Sequence, residues 1–323
     1  MNILFLIQPN PNFVPDFLLH GLRKLYGNKV VDYPKKECLY SGLQHGCHPE
    51  IYREPFWFPV DNGKIDRDDI ENKLKNKFFD YVVCDVYALS FFNSMLSKLS
   101  GKQLKIVLID GDDFPAKISP GSFLVCRRET DGTDYSIPLP MALPEEIFDR
   151  ISSYDNNPKS YSIGFLGAVG GQSESRYEMI EKIVSHYPDS LLQTSTVSEG
   201  EDKHSDERVG LDSYYDSLQR CKVVLTLRGA GYDTFRFWEN AACNALHVSE
   251  KMPLFIPNDF EDKRDIIRFS DIDKLRVVID SHLSGSKETD QIVQNSRKHL
   301  KDFHLTTSRA IYFIDRIKWA FNQ

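Results

Sequence analysis

The sequence lacks the patterns that mark several classes of protein. None of its six cysteines belongs to a CxxC pair, so we expect neither a zinc ribbon nor a dithiol redox site. No stretch approaches the ~20 consecutive apolar residues that cross a bilayer. The apolar run at the start of the chain, Ile3 to Ile7, is shorter than the core of a signal peptide. These absences predict a cytoplasmic protein with reduced thiols.

An excess of basic residues is also missing. The chain has 40 Lys and Arg residues and 47 Asp and Glu residues, which gives a formal net charge of -7. A protein that binds nucleic acid through a broad basic face has the opposite balance, so nucleic acid is not the expected partner. The hydrophobic content of 41% is that of an ordinary folded protein.

The length of the chain indicates more than one hydrophobic core. A chain of 323 residues exceeds a single core, and two domains of about 150 residues each are the usual solution. The polar stretch SSYDNNPKS near the middle of the chain has the composition of a linker. We predict an N-terminal domain over residues 1–150, a C-terminal domain over 151–305 and a final helical tail over 306–323.

Each half of the chain alternates buried strands with amphipathic helices. The segments NILFLIQ, DFLLHGLRKLYG and KVVDYP predict a strand, a helix capped by Asp16, and a second strand. The alternation restarts after the linker with the strand YSIGFLGAV and the helix SRYEMIEKIVSHYP. This order predicts an α/β fold of two Rossmann-like, doubly wound domains whose strands bind ligands at their carboxyl ends. We expect the two domains to face each other across a cleft.

The segment KVVLTLRGAGYDTFRFWENAACNALHV, residues 222–248, carries the densest group of candidate site residues. It predicts a buried strand, a glycine-bearing loop and a helix from Phe235 to Leu246. Strand ends and helix starts of this kind attract anions. Glycines let a ligand approach the backbone, and arginines hold phosphate oxygens. Asp and Thr side chains cap helices, and a carboxylate suits paired sugar hydroxyls. The candidate residues are the glycines Gly229 and Gly231, the arginines Arg228 and Arg236, the caps Asp233 and Thr234, and the carboxylate Glu239.

A structural turn is the alternative for this segment. Arg236 and Glu239 are three residues apart on the predicted helix, where they could form a surface ion pair, and the glycines would then serve only the turn. We favour the functional interpretation because the strand, loop and helix occur in the expected order.

The run LRGAGYDTFRFWENAACNAL resembles the nucleotide-sugar-binding motif in the C-terminal domain of GT-B glycosyltransferases, especially the exostosin-like and spore-maturation-type groups. The resemblance implies that Glu239 contacts the ribose of the donor and that Arg228 and Arg236 lie near its diphosphate. It also implies that the tail over residues 306–323 packs back toward the N-terminal domain. The clear match covers this run alone, and its ending NALHV departs from the GxxPV common in the family.

A second segment, IGFLGAVGGQSESRYEMI, opens the predicted C-terminal domain. GT-B C-terminal domains often begin with a strand, a glycine-bearing loop and a helix with a donor-contacting basic residue. The resemblance assigns that role to Gly167, Gly170, Gly171 and Arg176. Three glycines in a loop are common, and an ordinary turn is the alternative.

Candidate catalytic acids come from the segment LIDGDD, which places Asp110, Asp112 and Asp113 at the end of a strand in the N-terminal half. One of them could be the general base for an acceptor hydroxyl. The group could instead hold a metal or form a solvated acidic turn. GT-B enzymes generally stabilise the leaving diphosphate with helix dipoles and basic side chains, so the resemblance implies neither a metal nor a cofactor.

Histidines and aromatic residues give weaker candidates. His20 lies in the first predicted helix and is a second choice as base, followed by His45 and His48 in an irregular segment over 40–60. A structural role is the alternative for each. The tripeptide FWF at 56–58 could stack on an acceptor sugar or belong to a buried aromatic cluster.

These observations predict a glycosyltransferase that moves a sugar from a nucleoside-diphosphate donor to a glycan or small-molecule acceptor. Peripheral contact with a membrane stays open. So do two other functions: a different nucleotide-sugar enzyme such as an epimerase, and a non-catalytic two-domain binding protein. The sequence does not determine the base and sugar of the donor, the acceptor, or whether the anomeric configuration is retained.

Overall fold

The structure is a computed structural model that describes residues 1–41, 58–59, 61–97, 104–116, 118, 123–169, 174–196 and 210–323. The chain divides into two compact units. Unit 1 comprises Met1–Pro144, Leu254–Pro257 and Leu305–Gln323, and unit 2 comprises Glu145–Pro253 and Asn258–His304. No helix in the described part of the chain combines the length and the apolar character needed to cross a membrane.

The core of unit 1 is a parallel sheet of six strands. Their order across the sheet is β2 (Val30–Tyr33), β1 (Ile3–Leu6), β3 (Tyr81–Asp85), β4 (Ile106–Asp110), β5 (Leu124–Arg127) and β6 (Ile137–Pro138). Every residue of β1 and β3 is buried, which explains why their sequences are nearly continuous apolar runs. The strand order reverses between β1 and β3, so the carboxyl ends of these strands form the switch point at which such sheets bind ligands.

The helices of unit 1 are α1 (Phe13–Tyr26), α2 (Ile70–Lys75), α3 (Leu89–Ser97) and α10 (Thr306–Phe321). The last of them packs against the first. This close packing requires Gly21, because a β-carbon there would lie 2.0 Å from the Thr306 carbonyl oxygen.

The predicted cap of α1 is wrong. The N-cap position is occupied by Asn12, and the helix begins at Phe13, three residues before Asp16. Asp16 is fully buried, and its carboxylate lies 3.1 Å from the ammonium group of Lys36, which is equally buried. The carboxylate also accepts a hydrogen bond of 2.8 Å from the Asn12 backbone N–H. Asp16 therefore neutralises the buried lysine and stabilises the first turn of α1 by accepting a backbone hydrogen bond from the N-cap residue.

The core of unit 2 is a parallel sheet of five strands. Their order is β11 (Ile267–Phe269), β10 (Leu246–Glu250), β9 (Cys221–Thr226), β7 (Tyr161–Val169) and β8 (Leu191–Thr196). The chain adds β8 on one side of β7 and β9 on the other. The switch point of this sheet therefore lies between the carboxyl ends of β7 and β9.

The helices of unit 2 are α4 (Glu145–Ser152), α5 (Glu174–His186), α6 (Leu211–Gln219), α7 (Phe235–Ala242), α8 (Ile272–Leu283) and α9 (Lys287–Phe303). The helix predicted from Phe235 to Leu246 is too long, because it ends at Ala242 and the chain enters β10 at Leu246. A fully buried strand has no polar alternation that would separate it from a buried helix in sequence. Two helices, α9 and α10, complete the chain.

Candidate functional site

The candidate site lies at the switch point of the unit 2 sheet, where β7 and β9 end. Arg228 follows β9 by two residues, and a loop over residues 229–234 leads into α7. Backbone N–H groups at the start of such a helix are directed toward the carboxyl edge of the sheet and attract anions. The segment that the sequence analysis singled out therefore occupies the position where ligands of parallel sheets bind.

The loop between β9 and α7 is fixed by its own bonds. The Gly229 N–H donates to the Gly231 carbonyl oxygen over 2.9 Å, and Trp238 Nε1 donates to Asp233 Oδ1 over 2.8 Å. Thr234 occupies the predicted N-cap position, but within the described residues its buried Oγ1 has no hydrogen-bond partner. The Thr234 hydroxyl therefore does not make the predicted capping bond, and one oxygen of Asp233 binds the Trp238 indole.

Arg236 reaches from α7 to the end of β7. Its Nε donates to the Leu166 carbonyl oxygen over 2.9 Å, and its guanidinium carbon lies 4.8 Å from the centre of the Phe165 ring. A β-carbon on Gly167 would fall 2.0 Å from Arg236 Nη2, so the glycine provides the space that the guanidinium occupies. The alternative of a surface ion pair with Glu239 is wrong, because Arg236 bonds across the sheet edge and Glu239 is buried.

Arg176 approaches the same place from α5. Its side chain is buried, its Nε donates to the Arg228 carbonyl oxygen over 3.0 Å, and its Nη2 donates to the Leu227 carbonyl oxygen over 3.3 Å. Its guanidinium carbon lies 5.7 Å from the centre of the same Phe165 ring. Burial, and next the positive charge of Arg236, lowers the pKa of Arg176 to about 10. Two neighbouring cations with restricted access to water form an arrangement that a bound anion would stabilise.

Arg228 is the exposed member of this group. Its Nη1 donates to the Tyr232 hydroxyl over 3.0 Å, and its guanidinium carbon lies 5.1 Å from the centre of that ring. Its backbone N–H donates to Glu250 Oε2 over 3.0 Å, which joins the loop to the end of β10. The guanidinium thus stands at the edge of the site with most of its donors open to water.

Glu239 lies on α7, one turn after Arg236, and is 6% exposed. Its carboxylate accepts hydrogen bonds from two consecutive residues of α6: Tyr214 donates to Oε2 over 3.1 Å and Tyr215 donates to Oε1 over 2.8 Å. Burial raises the pKa of Glu239, and the hydrogen bond from Tyr215 acts against that rise. Each carboxylate oxygen has a second lone pair and can accept one more hydrogen bond.

The structure brings the predicted donor-site residues of unit 2 together. A β-carbon on Gly229 would lie 3.1 Å from Arg176 Nη2, so this glycine also makes room for a guanidinium. Gly231 is buried within the loop. Gly170 and Gly171 lie outside the described residues.

The three predicted acids of unit 1 have different surroundings. Asp110 ends β4 and is fully buried, where it accepts from Arg127 Nε over 3.0 Å and from the Ala116 N–H over 2.9 Å. Asp112 is half-buried and accepts from the Tyr87 hydroxyl. Asp113 pairs with Arg128 Nη2 over 2.9 Å and keeps 34% of its side chain exposed. Asp112 and Asp113 are therefore accessible, whereas Asp110 belongs to an interior ion pair.

The surroundings of His20 do not support a catalytic role. His20 is 1% exposed, and its Nδ1 lies 2.8 Å from the Thr306 hydroxyl, where it joins α1 to α10. This placement favours packing over catalysis. His45, His48 and the first two residues of FWF lie outside the described residues. Phe58, the third, is buried against Tyr40 with ring centres 5.2 Å apart, as the aromatic-cluster alternative predicted.

Sequence reasoning missed several residues near these positions. Tyr214, Tyr215, Tyr232 and Glu250 surround the donor site, and no spacing pattern marks them. Asp85 ends β3 at the switch point of unit 1 and is fully buried. Asp85 could have been predicted as a candidate, because it ends the apolar run YVVCD in the same way that Asp110 ends the apolar run IVLID.

Residues 175–315 match the glycosyl transferase-like family. No curated protein matches the sequence. HepE of Anabaena, solved in complex with UDP and glucose, is 14% identical and aligns with a TM-score of 0.59 over 98% of this chain and 99% of its own. A glycosyltransferase of Rickettsia africae is 10% identical, with a TM-score of 0.57 over 98% and 97%. Sucrose-phosphate synthase of Thermosynechococcus elongatus is 10% identical, with a TM-score of 0.53 over 100% of both chains.

These findings confirm the predicted fold class, α/β with two Rossmann-like units of the GT-B type. They also confirm the resemblance to GT-B glycosyltransferases. The family match over residues 175–315 supports glycosyltransferase as the enzyme class.

Proposed function

We propose that this glycosyltransferase transfers a sugar from a nucleoside-diphosphate donor bound in unit 2 to a hydroxyl acceptor bound in unit 1. The observation that carries the proposal is the group of three arginines, Arg176, Arg228 and Arg236, at the switch point of the unit 2 sheet. The presence of UDP and glucose in HepE, which shares this fold, supports a donor of the same class.

The arginines are suited to a diphosphate. Arg176 bonds to the carbonyl oxygens of Leu227 and Arg228 just beyond β9, and Arg236 bonds to that of Leu166 in β7. The guanidinium carbons of both lie within 6 Å of the centre of the Phe165 ring. A leaving nucleoside diphosphate gains negative charge as the glycosidic bond breaks. Fixed guanidinium groups beside a helix N-terminus would stabilise that charge more in the transition state than in the bound donor. We therefore propose that the reaction needs neither a metal nor a cofactor.

Glu239 is the proposed ribose contact. Its carboxylate lies one turn beyond Arg236 on the helix that starts at the site, and its two open lone pairs match two adjacent hydroxyls. The alternative role, stabilising α6 against α7 through the tyrosine hydroxyls, does not require a charged residue to be buried. Burial of a carboxylate is costly unless hydrogen bonds or an opposite charge offset it, and for Glu239 the two tyrosine hydroxyls and the charge of Arg236 supply that offset.

The acceptor side is proposed to lie near Asp112 and Asp113. These two acids are accessible at the carboxyl end of β4, and either could take the proton from an acceptor hydroxyl. A glycan or a small polyhydroxylated molecule is the proposed acceptor class, as in polysaccharide biosynthesis. We also propose a cytoplasmic location, in agreement with the five described cysteines, all of which are buried free thiols.

Ligand binding tests the donor site directly. UDP, GDP and ADP are added to the wild type and to Arg228→Ala, Arg236→Ala and Arg236→Lys, and the melting temperature and dissociation constants are measured. At least one nucleotide should bind the wild type, and all three variants should bind it more weakly, the lysine variant because it loses the planar fork. Arg276→Ala is the control, since that side chain is 58% exposed on α8, where it faces Asp280.

Two results would contradict the proposal. If both alanine variants bind nucleotide and transfer sugar like the wild type, the loop is a structural turn. If a nucleotide-sugar is converted to its epimer without any acceptor, the chain is an epimerase and not a transferase.

A further inference from the structure

Two consecutive tyrosines hold both oxygens of one buried carboxylate. Tyr214 and Tyr215 belong to α6, and their hydroxyls donate to Oε2 and Oε1 of Glu239 on α7. Neighbouring residues of a helix project about 100° apart, so both can reach one carboxylate only if it lies in the angle between them. Their rings meet edge to face with centres 5.2 Å apart, which fixes the spacing of the two hydroxyls.

The hydroxyls remain donors under all ordinary conditions. Burial, and next the negative charge of Glu239, raises the pKa of both tyrosines well above the usual value. Each phenol therefore keeps its proton and points it at one carboxylate oxygen. The Tyr215 side chain is fully buried, whereas Tyr214 is half-buried.

This arrangement determines where Glu239 can accept further hydrogen bonds. A carboxylate has about two lone-pair positions on each oxygen. With one position on each oxygen taken by a tyrosine, one position remains on each. The two that remain belong to different oxygens, so the carboxylate can accept from two adjacent hydroxyls of a ribose, one on each oxygen.

We propose that Tyr214 and Tyr215 are positioning residues that orient Glu239 toward the 2′- and 3′-hydroxyls of the donor ribose and thereby make the site prefer ribonucleotides over deoxyribonucleotides. This inference rests on the proposed role of Glu239 in donor binding. The tyrosines do not touch the nucleotide themselves; they act by fixing the rotation of the carboxylate and by keeping it charged in a buried position.

The test compares nucleotide pairs that differ by one hydroxyl. Dissociation constants are measured by calorimetry for UDP, GDP and ADP, for their 2′-deoxy forms and for inorganic pyrophosphate. The proteins are the wild type, Tyr214→Phe, Tyr215→Phe, the double variant and Glu239→Gln. Tyr187→Phe is the matched control, because it removes a tyrosine hydroxyl that donates to Asp280 over 2.7 Å elsewhere in unit 2.

The wild type should bind the ribose form about 10-fold more tightly than the deoxy form, the usual effect of one hydrogen bond to a charged group. In the double variant the preference should fall to about threefold or less, and each single variant should lie between. Pyrophosphate affinity should stay within about twofold in every tyrosine variant, since pyrophosphate contacts only the arginines. Tyr187→Phe should keep the full preference.

The outcomes separate this inference from the proposed function. If nucleotide and pyrophosphate affinities fall together, or if the double variant keeps the preference that Glu239→Gln loses, the tyrosines are merely structural and the inference fails alone. If the wild type binds both sugar forms equally, the ribose contact of Glu239 fails and takes the inference with it. If no nucleotide binds the wild type, the proposed function itself is overturned.

Discussion

The guanidinium of Arg236 lies directly over Gly167. A β-carbon on this glycine would stand 2.0 Å from Arg236 Nη2 and 2.6 Å from the guanidinium carbon. The two residues are on different elements, β7 and α7, and meet because Arg236 Nε bonds to the Leu166 carbonyl oxygen. The absence of a side chain at Gly167 thus leaves the space that the Arg236 guanidinium occupies beside β7.

Replacement of this glycine should displace the cation. In Gly167→Ala the methyl group forces the guanidinium away from β7, and we expect nucleoside-diphosphate affinity to fall about 10-fold, the equivalent of one charged hydrogen bond. The measurement is calorimetric titration with UDP, GDP and ADP. Gly210→Ala is the control, because a β-carbon there meets nothing within 4 Å. Wild-type affinity in Gly167→Ala would show that Arg236 does not need this position.

Asp110 should matter for stability rather than for turnover. Its buried carboxylate accepts from Arg127 Nε and from the Ala116 N–H, so Asp110→Asn leaves Arg127 Nε with a weaker, neutral partner, while Arg127 Nη1 keeps its ion pair with Asp134 over 2.6 Å. We expect the free energy of unfolding to fall by about 2 kcal/mol, as for a lost charge-assisted hydrogen bond. Urea denaturation measures this change. An Asp110→Asn variant with wild-type stability and no transferase activity would make Asp110 catalytic after all.

Asp112 and Asp113 should have the opposite pattern. If one of them takes the acceptor proton, its Asn variant should bind nucleotide normally and lose ~10²–10⁴-fold in transfer rate. The measurement is the rate of sugar transfer with saturating donor, with nucleotide affinity as the control. Full activity in both Asn variants would place the base elsewhere, and Asp85 at the switch point of unit 1 would be the next candidate.

The positions of the site segments could be predicted from the sequence because the fold determines them. The apolar runs before Asp110 and Arg228 are central strands of parallel sheets, and such strands end where ligands bind. β10 could not be predicted, because Leu246 to Val248 are buried on every side and lack the alternation of a half-exposed strand.

The partners of the site residues could not be predicted. Arg236 bonds to Leu166, 70 residues earlier, and Glu239 bonds to Tyr215, 24 residues earlier. Nothing in the local sequence connects these pairs. Asp110 and Asp112 lie in the same short acidic segment and cannot be told apart from the sequence. The ion pair with Arg127 identifies Asp110 as the structural acid, and Asp112 stays accessible.

Asp85 should destabilise the folded chain at neutral pH. Burial, and to a lesser extent the charge of Asp16, raises its pKa to about 6, while Lys36 and the bonds from the Tyr87 N–H and Asn12 Nδ2 act in the other direction. A raised carboxyl pKa gives stability that is present below about pH 4, the pKa of the unfolded chain, and lost as pH rises through about 6. Asp85→Asn stays neutral and should be more stable than the wild type by about 3 kcal/mol at pH 8.

Urea denaturation of Asp85→Asn and the wild type at pH 4 and pH 8 checks this expectation. The difference in the free energy of unfolding should shrink toward pH 4, where the wild-type carboxyl is protonated in the fold. A difference that is equal at both pH values would show that the amide changes packing and not charge.

His247 should make the fold sensitive to acid. It is 1% exposed in β10, and its Nε2 lies 2.9 Å from the Thr226 hydroxyl, which also accepts from Asn240 Nδ2 over 2.9 Å. Burial, and next the charge of Arg268, lowers its pKa to about 3. Above pH 6.5 the ring is neutral in the folded and in the unfolded chain, so its contribution to the free energy of unfolding is fully present. As pH falls from 6.5 toward 3 only the unfolded chain takes up the proton, which lowers the free energy of unfolding by up to about 1.4 kcal/mol per pH unit.

Replacement of this histidine should therefore flatten the acid limb of the stability curve. We expect His247→Gln to lower the free energy of unfolding at pH 7, since glutamine does not reproduce the shape of the buried ring. The free energy of unfolding of this variant should nevertheless fall less steeply than that of the wild type between pH 6.5 and pH 4. The difference in slope should reach about 1.4 kcal/mol per pH unit, which corresponds to one proton taken up on unfolding. His186→Gln on α5 is the control, because that side chain is exposed to water and its loss should leave the slope unchanged. Urea denaturation at half-unit pH intervals gives the slopes, and equal slopes in His247→Gln and the wild type would mean that the acid sensitivity arises from other groups.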